Sequence, residues 1–140
     1  MNAILTETDL VQLEIEDDRD VVTARSKGRK MAAEMGFSRP DQALIATAIS
    51  ELARNIVNYA GKGGIDLGKL QKPGYVGIQV VAHDEGPGIA DIESAMIDGF
   101  STGNSLGLGL PGTKRIVDEF QLQSAPGDGV TVTAVKWLRI

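Results

Sequence analysis

The chain has 140 residues with no cysteine, one histidine and a formal net charge of −5. A domain of this size buries about 70% of the surface of its unfolded chain, so it folds without disulfides or a structural metal. The missing cysteines exclude thiolate metal sites, the single histidine excludes a multi-histidine cluster, and the acidic charge argues against a nucleic-acid partner.

The first half of the chain predicts one strand followed by two helices. Residues 11–15 alternate between apolar and polar side chains, as in a half-buried strand. Apolar residues recur at helical spacing over Asp18–Met35, and Gly36 is a suitable helix stop. A second helix is predicted from residue 38 or 41 to residue 60, with Gly61 ending it.

The second half predicts four strands and two helices. In chain order they are a short strand at 65–70, a turn at 72–74, a strand at 75–82, a short helix near 91–97, a helix through 114–120, and strands at 121–125 and 130–138. Helices inserted between strands that can pair as hairpins predict an α/β (α+β) two-layer sandwich, with a mixed, mainly antiparallel sheet covered by helices on one face.

The ends and interior of the chain carry no targeting or spanning segment that can be recognised from sequence. The N-terminus lacks the basic and apolar regions of a signal peptide. No apolar run approaches the roughly 20 residues of a membrane span. No repeat or linker divides the chain, so we expect residues 1–140 to form a single cytoplasmic domain without a membrane partner.

A polar pair on the second predicted helix is the first candidate for chemistry. Glu51 and Asn55 are four residues apart, so their side chains lie one turn apart on the same helix face. A carboxylate and an amide oxygen suit Mg²⁺, and a carboxylate can also accept a proton from an attacking hydroxyl. An exposed polar turn has the same spacing, so the pair alone leaves both interpretations open.

Two glycine-rich segments follow. In the first, Asp84 ends a strand and can accept a hydrogen bond from an exocyclic amine, while Gly86 and Gly88 allow close approach to a flat ring. In the second, residues 99–110 precede a helix, and their amides can form a nest for an anion. An ordinary turn and a flexible lid without ligand are the respective alternatives.

Taken together, these segments occur in the order of the N, G1 and G2 boxes of a known family. The sequence resembles the GHKL superfamily of ATP-binding domains (gyrase, Hsp90, histidine kinases, MutL), and within it the anti-sigma-factor serine/threonine kinases, especially the stressosome switch kinases of the RsbT type. The strings that carry the resemblance are AISELARNIVNYAG (48–61), DEGPGI (84–89), DGFST (98–102), LGLGLPG (106–112) and VTAVKWL (132–138). The resemblance implies a Bergerat-type ATP-binding fold.

The resemblance also implies a role for each matched residue. Glu51 would be the general base for an acceptor serine, Asn55 would hold Mg²⁺ against the phosphates of ATP, and Asp84 would accept from the adenine amine. The other implied ATP-binding positions are Gly86, Gly88, Ile89, Gly103, Gly107, Leu108, Gly109 and Leu110. Among them, the amides of Gly107 and Gly109 would face the phosphates.

Two positions depart from the family pattern. Many GHKL domains have a threonine after the glycine of the last hairpin, which helps to fix adenine, whereas Gly129 is followed here by Val130. Some anti-sigma kinases carry a lid arginine that reaches the γ-phosphate, whereas residues 101–110 contain no basic residue. The candidates to supply that charge are Lys62, Lys114 and Arg115. The ordinary interpretation of each is a solvated side chain.

The resemblance implies a serine/threonine-protein kinase that transfers the γ-phosphate of ATP to STAS-domain proteins, namely RsbS- and RsbR-like antagonists and scaffolds. The released kinase would bind and activate a PP2C-type, RsbU-like phosphatase in a partner-switching stress cascade. The alternative is a non-catalytic, ATP-gated anti-sigma factor that sequesters a sigma factor. A homodimer also stays open, because some relatives dimerise through their sheets.

Overall fold

The computed structural model describes residues 4–86, 109–124 and 127–140. Its elements in chain order are β1 (Ile4–Ile15), α1 (Asp18–Met35), α2 (Arg39–Tyr59), β2 (Gly63–Lys72), β3 (Tyr75–Asp84), α3 (Gly109–Ile116), β4 (Glu119–Ser124) and β5 (Val130–Arg139). The short helix expected near 91–97 lies outside the described residues. None of the described helices combines the length and the apolar character needed to cross a bilayer.

Both long helices begin and end where local chemistry requires. Asp17 caps α1 by accepting from the backbone N–H groups of Arg19 and Asp20, and the Asp20 hydrogen bond is the main reason why the pKa of Asp17 is lowered. Gly36 ends α1 in the left-handed region with φ of 99°, which favours glycine. Ser38 caps α2 through the N–H of Asp41. The predicted bounds of α1 are therefore confirmed, and those of α2 are confirmed to within one residue.

The five strands form one sheet in the order β1-β2-β3-β5-β4. Each of the four neighbouring pairs is antiparallel, so the expected mainly antiparallel sheet is confirmed, and no parallel pair occurs among the described strands. The core lies between this sheet and the helices, where apolar residues of α1 and α2 pack on those of the strands. The two helices come very close at Gly28, where an added Cβ would collide with the side chain of Ile49.

The region after α3 differs from the prediction. A helix was expected to run through Phe120, but α3 ends at Ile116 and Phe120 lies in β4 opposite Ala134. The chain joins the sheet early because Asp118 pairs with β5: its N–H donates to Val135 O at 2.8 Å, and its carboxylate accepts from the Trp137 N–H at 2.6 Å. These pairings outweigh local helix propensity, so the prediction of a helix through 120 is wrong.

Candidate functional site

Glu51 lies on α2, and only 3% of its surface is exposed. Its Oε1 accepts a hydrogen bond from Arg54 Nη1 at 2.8 Å. Its Oε2 accepts from the backbone N–H of Gly109 at 3.2 Å. A buried carboxylate without partners is strongly unfavourable, and these two contacts offset its loss of hydration. The exposed polar turn that the spacing left open is therefore excluded for Glu51.

Gly109 is the first residue of α3 and has a φ of +67°. A helix N-terminus favours negative charge, because its first N–H groups have no partner within the helix. The carboxylate of Glu51 occupies this position, at the end of the segment that was expected to bind phosphate. The amide of Gly109, which the sequence assigned to ATP, thus donates to Glu51.

Asn55 lies one helical turn beyond Glu51 and is half-buried. Its side chain makes no hydrogen bond to any residue that the structure describes. Mg²⁺ commonly takes one or two protein ligands and completes its shell with phosphates and water. The amide oxygen of Asn55 is a ligand atom of the kind that fits a magnesium ion shared with a nucleotide.

Asp84 ends β3 and is half-exposed. Its Oδ1 accepts from the N–H of Gly86 at 2.9 Å, which closes a local turn. Its Oδ2 makes no hydrogen bond to the described part of the chain. One oxygen is therefore held in place by the loop, and a carboxylate oxygen at this position can accept from a donor such as an exocyclic amine.

Gly86 has a packing role that the sequence did not reveal. A Cβ added at Gly86 would lie 2.7 Å from the Cβ of Ala60, at the C-terminal end of α2. Real side chains do not approach so closely, so only glycine lets the loop after β3 rest on the helix. The glycine was expected to admit a flat ring, and in the structure it admits the end of α2.

These contacts arrange the candidate residues in order along α2. The Asp84 loop rests on Ala60, Asn55 follows, and Glu51 meets the start of α3. At 1.5 Å per residue, the helix spans about 13 Å between Ala60 and Glu51. The structure thus places Glu51 and Asn55 on α2 and the Asp84 loop against the C-terminal end of the same helix.

A cavity of about 470 Å³ opens between α1 and α2 on the other side of Glu51. Its lining residues are Arg25, Ser26, Arg29, Ala43, Ala46, Thr47, Ser50, Glu51 and Arg54. Neither Arg25 nor Arg29 has an ion-pair partner among the described residues. The cavity lining therefore carries three arginines against one carboxylate, a net positive charge in a chain that is acidic overall.

The pairing of β5 with β3 shows where Val130, which stands at the position of the family's adenine-fixing threonine, lies relative to Asp84. Val130 lies directly opposite Asp84, whereas Thr131 lies opposite His83. Directly opposed residues share a face of the sheet, and neighbours along a strand alternate. The hydroxyl of Thr131 therefore lies on the face away from Asp84, and β5 presents the aliphatic Val130 beside it.

The remaining predicted positions divide into two groups. Leu110 is buried in the hydrophobic core, so its side chain faces the protein interior. The predicted ATP-binding residues that lie outside the described residues are Gly88, Ile89, Gly103, Gly107 and Leu108.

Sequence reasoning missed Arg54. It weighed Lys62, Lys114 and Arg115 as sources of positive charge, and all three are exposed. The cation in contact with Glu51 is Arg54, three residues further along α2. That spacing brings two side chains together on a helix, so the E-x-x-R pattern was a usable signal.

Comparison with known proteins now identifies the family. Residues 40–140 match the model of the histidine kinase-, DNA gyrase B- and HSP90-like ATPases. The chain belongs to this family. ATP is therefore its nucleotide, as the sequence predicted, and the expected two-layer α/β fold is confirmed.

Individual relatives show which enzyme class the chain represents within this family. The chain is 55% identical over 120 residues to the serine/threonine-protein kinase RsbT of Bacillus subtilis (strain 168), covering 86% of this chain and 90% of the relative. It is 34% identical over 121 residues to the anti-sigma F factor of Thermoanaerobacter sp. (strain X514), covering 82% and 83%. At this likeness to RsbT, the predicted enzyme class, a protein serine/threonine kinase, is confirmed.

A solved structure shares the fold. The crystal structure of the RsbU and RsbW domains of a Mycobacterium tuberculosis protein superposes with a TM-score of 0.58 at 24% identity. The match covers 91% of this chain but only 31% of that one. At this identity the likeness shows the architecture alone.

Proposed function

We propose that the chain transfers the γ-phosphoryl group of ATP to a serine or threonine hydroxyl of a protein substrate, with Glu51 as the general base. The observation that carries this proposal is the position of the Glu51 carboxylate. One of its oxygens faces Arg54 at the cationic cavity, and the other faces the N-terminus of α3. The carboxylate thus contacts both the wall of this cavity and the start of α3, where the acceptor and the phosphates would meet in the proposed complex.

In the proposed complex, ATP lies along α2. The adenine amine donates to the free oxygen of Asp84, and the phosphates extend past Asn55 towards the start of α3. Asn55 would hold a magnesium ion, which neutralises charge on the phosphates when bound. The acceptor segment of the protein substrate enters through the cavity between α1 and α2, where Arg25 and Arg29 favour an acidic segment.

The chemical step needs little from the protein beyond positioning. As the acceptor oxygen attacks the γ-phosphorus, the bond from that phosphorus to the bridging oxygen breaks and ADP leaves. The hydroxyl proton passes to the carboxylate of Glu51. The transition state is loose, so a carboxylate that is held by hydrogen bonds is a sufficient base.

We propose STAS-domain proteins as the substrates and a PP2C-type phosphatase as the partner that the released kinase binds and activates. The RsbT-type strings support these assignments, as does the 55% identity to a serine/threonine-protein kinase. A partner-switching cycle of this kind needs one compact module that binds nucleotide and partner in turn, and we propose that residues 1–140 form it.

The second candidate is a non-catalytic anti-sigma factor that binds a sigma factor when ATP is present. The 34% identity to an anti-sigma F factor favours it. Both candidates use the same nucleotide site, so ATP binding does not separate them. Transfer of phosphate to a protein separates the two candidates, because only the kinase performs it.

The test is incubation of the purified chain with Mg²⁺, γ-labelled ATP and a STAS-domain protein from the same genome neighbourhood. We expect label on a serine or threonine of the STAS protein. Glu51→Gln should lower the transfer rate by about 10²- to 10⁴-fold, the usual contribution of a general base. Affinity for ATP should change little.

The matched control is Glu34→Gln, which changes an exposed glutamate of α1 that does not line the cavity. Its transfer rate should equal that of the unaltered chain. Undiminished transfer by Glu51→Gln would remove Glu51 as the base. A chain that binds ATP but labels no STAS protein, and that instead co-purifies with a sigma factor, would favour the second candidate.

A further inference from the structure

The proposed reaction brings negative charge to a site whose glycine-rich segment has no cation. Residues 101–110 contain no lysine or arginine. Basic side chains near a transferring phosphoryl group commonly stabilise the charge or position the reacting groups. A basic side chain that stabilises this charge or positions the reacting groups therefore has to come from an element outside residues 101–110.

Arg54 is the cation that the fold brings to this position. Its Nη1 donates to Glu51 Oε1 at 2.8 Å, from the next turn of the same helix. The two side chains differ in exposure: that of Glu51 is 4% exposed and that of Arg54 is 42% exposed. Arg54 therefore extends from the buried carboxylate into the cationic cavity, and it lines that cavity beside Arg29.

We propose that Arg54 is a positioning residue for the phosphoryl transfer, acting through Glu51. This inference rests on the proposed function. A carboxylate on a glutamate side chain has three rotatable bonds, so its direction must be fixed if one oxygen is to meet an incoming hydroxyl. Arg54 anchors Oε1 at the wall of the cavity through which the acceptor enters, and it offsets the unfavourable burial of the charge.

The contact with Gly109 cannot fix the carboxylate on its own. It is longer, at 3.2 Å, and the same N–H is the one that the sequence assigns to the phosphates of ATP. When a phosphate takes that N–H, Oε2 of Glu51 loses this hydrogen bond. The Arg54 hydrogen bond then still holds the carboxylate beside the acceptor. The direction of the carboxylate matters at this stage, because ATP is bound and the hydroxyl is about to react.

The test compares Arg54→Met and Arg54→Lys with the unaltered chain in the phosphotransfer assay with γ-labelled ATP and the STAS protein. Methionine keeps much of the aliphatic stem but removes the charge and donors. We expect Arg54→Met to lower kcat about 100-fold, the cost of a reacting group misplaced by about 1 Å. The KM for ATP should stay within about threefold, because Arg54 does not touch the nucleotide in this account.

Arg54→Lys keeps the charge and a donor, so its kcat should be at least about tenfold higher than that of Arg54→Met. A purely structural role would not give this result, since it would change stability without separating kcat from KM. The matched control is Lys30→Met, which removes an exposed cation of α1 outside the cavity and should leave kcat unchanged. If Arg54→Met does not fold, Arg54→Gln with Arg54→Lys supplies the same comparison.

A double variant separates this inference from the proposed function. If Arg54 acts through Glu51, Glu51→Gln with Arg54→Met should be no slower than Glu51→Gln alone, because paired groups are not additive. A fully additive loss, or an Arg54→Met enzyme with normal kcat, would overturn the inference and leave the base assignment intact. Normal transfer by Glu51→Gln would overturn both.

Discussion

The site along α2 has two ends that hold their carboxylates in different ways. At one end, near the middle of the helix, Glu51 is buried, and its partners come from α2 itself and from α3. At the other end, beside the C-terminus of the helix, Asp84 is half-exposed, and its partner among the described residues, Gly86, lies two residues away in the same loop. The first carboxylate is held by a neighbour on its own helix and by a contact from a distant segment, while the second is held by a local turn.

This difference matches what each end has to do in the proposed reaction. A reacting group gains from an environment that is fixed before the substrate arrives, since no reorganisation is then needed at the moment of transfer. A group that binds adenine must instead offer an acceptor, and Oδ2 of Asp84 has no hydrogen-bond partner among the described residues. Changes at the Glu51 end should therefore affect kcat, and changes at the Asp84 end should affect ATP affinity.

The contact between Gly86 and Ala60 joins the Asp84 loop to α2, and breaking it should have the largest effect at this end. Gly86→Ala places a Cβ 2.7 Å from the Cβ of Ala60, so the loop must move. We expect a loss of about 1–3 kcal/mol in the free energy of unfolding, as for other overpacked sites. Urea unfolding measures it.

The control for Gly86→Ala is Glu85→Ala, which alters an exposed neighbour and should change the unfolding free energy by less than about 0.5 kcal/mol. Equal stability of Gly86→Ala and the unaltered chain would mean that the loop rests on α2 less closely than the structure has it.

The charge of Asp84 should have the next largest effect. Asp84→Asn keeps the shape and an acceptor oxygen for the Gly86 turn but replaces charge-assisted hydrogen bonds with neutral ones. We expect the Kd for ATP to rise about tenfold, while kcat at saturating ATP stays nearly unchanged. Titration calorimetry gives the Kd. A fall in kcat with unchanged Kd would contradict the division between the two ends.

The smallest effect is expected at the position opposite Asp84. Val130→Thr would place a hydroxyl on the same face as the carboxylate, and we expect it to tighten ATP binding about threefold, the weight of a modest hydrogen bond. Thr131→Val is the control, because Thr131 lies on the opposite face and should have no effect. Weaker ATP binding by Thr131→Val would show that the register argument fails.

Much of this architecture could be predicted because it depends on local patterns. The α1 bounds follow from apolar spacing and the Gly36 stop, and the shared face of Glu51 and Asn55 follows from helix periodicity. The position of Asp84 at a strand end follows from the β-branched residues before it and the glycines after it.

The rest could not be predicted because it depends on contacts between distant segments. Glu51 and Gly109 are 58 residues apart, and no local pattern reveals their hydrogen bond. The same holds for the packing of Gly86 on Ala60. The end of α3 was misjudged because Asp118 pairs with β5 across the sheet, which outweighs the local helical pattern.

The measurement that tests the central claim most directly is a single-turnover phosphotransfer assay at saturating ATP, run in parallel on Glu51→Gln and Asp84→Asn. The account predicts a rate at least about 100-fold lower for Glu51→Gln. For Asp84→Asn it predicts a nearly normal rate once its higher ATP requirement is met. A normal rate for Glu51→Gln, or equal losses for both variants, would contradict the claim that α2 separates a reacting end from a nucleotide-reading end.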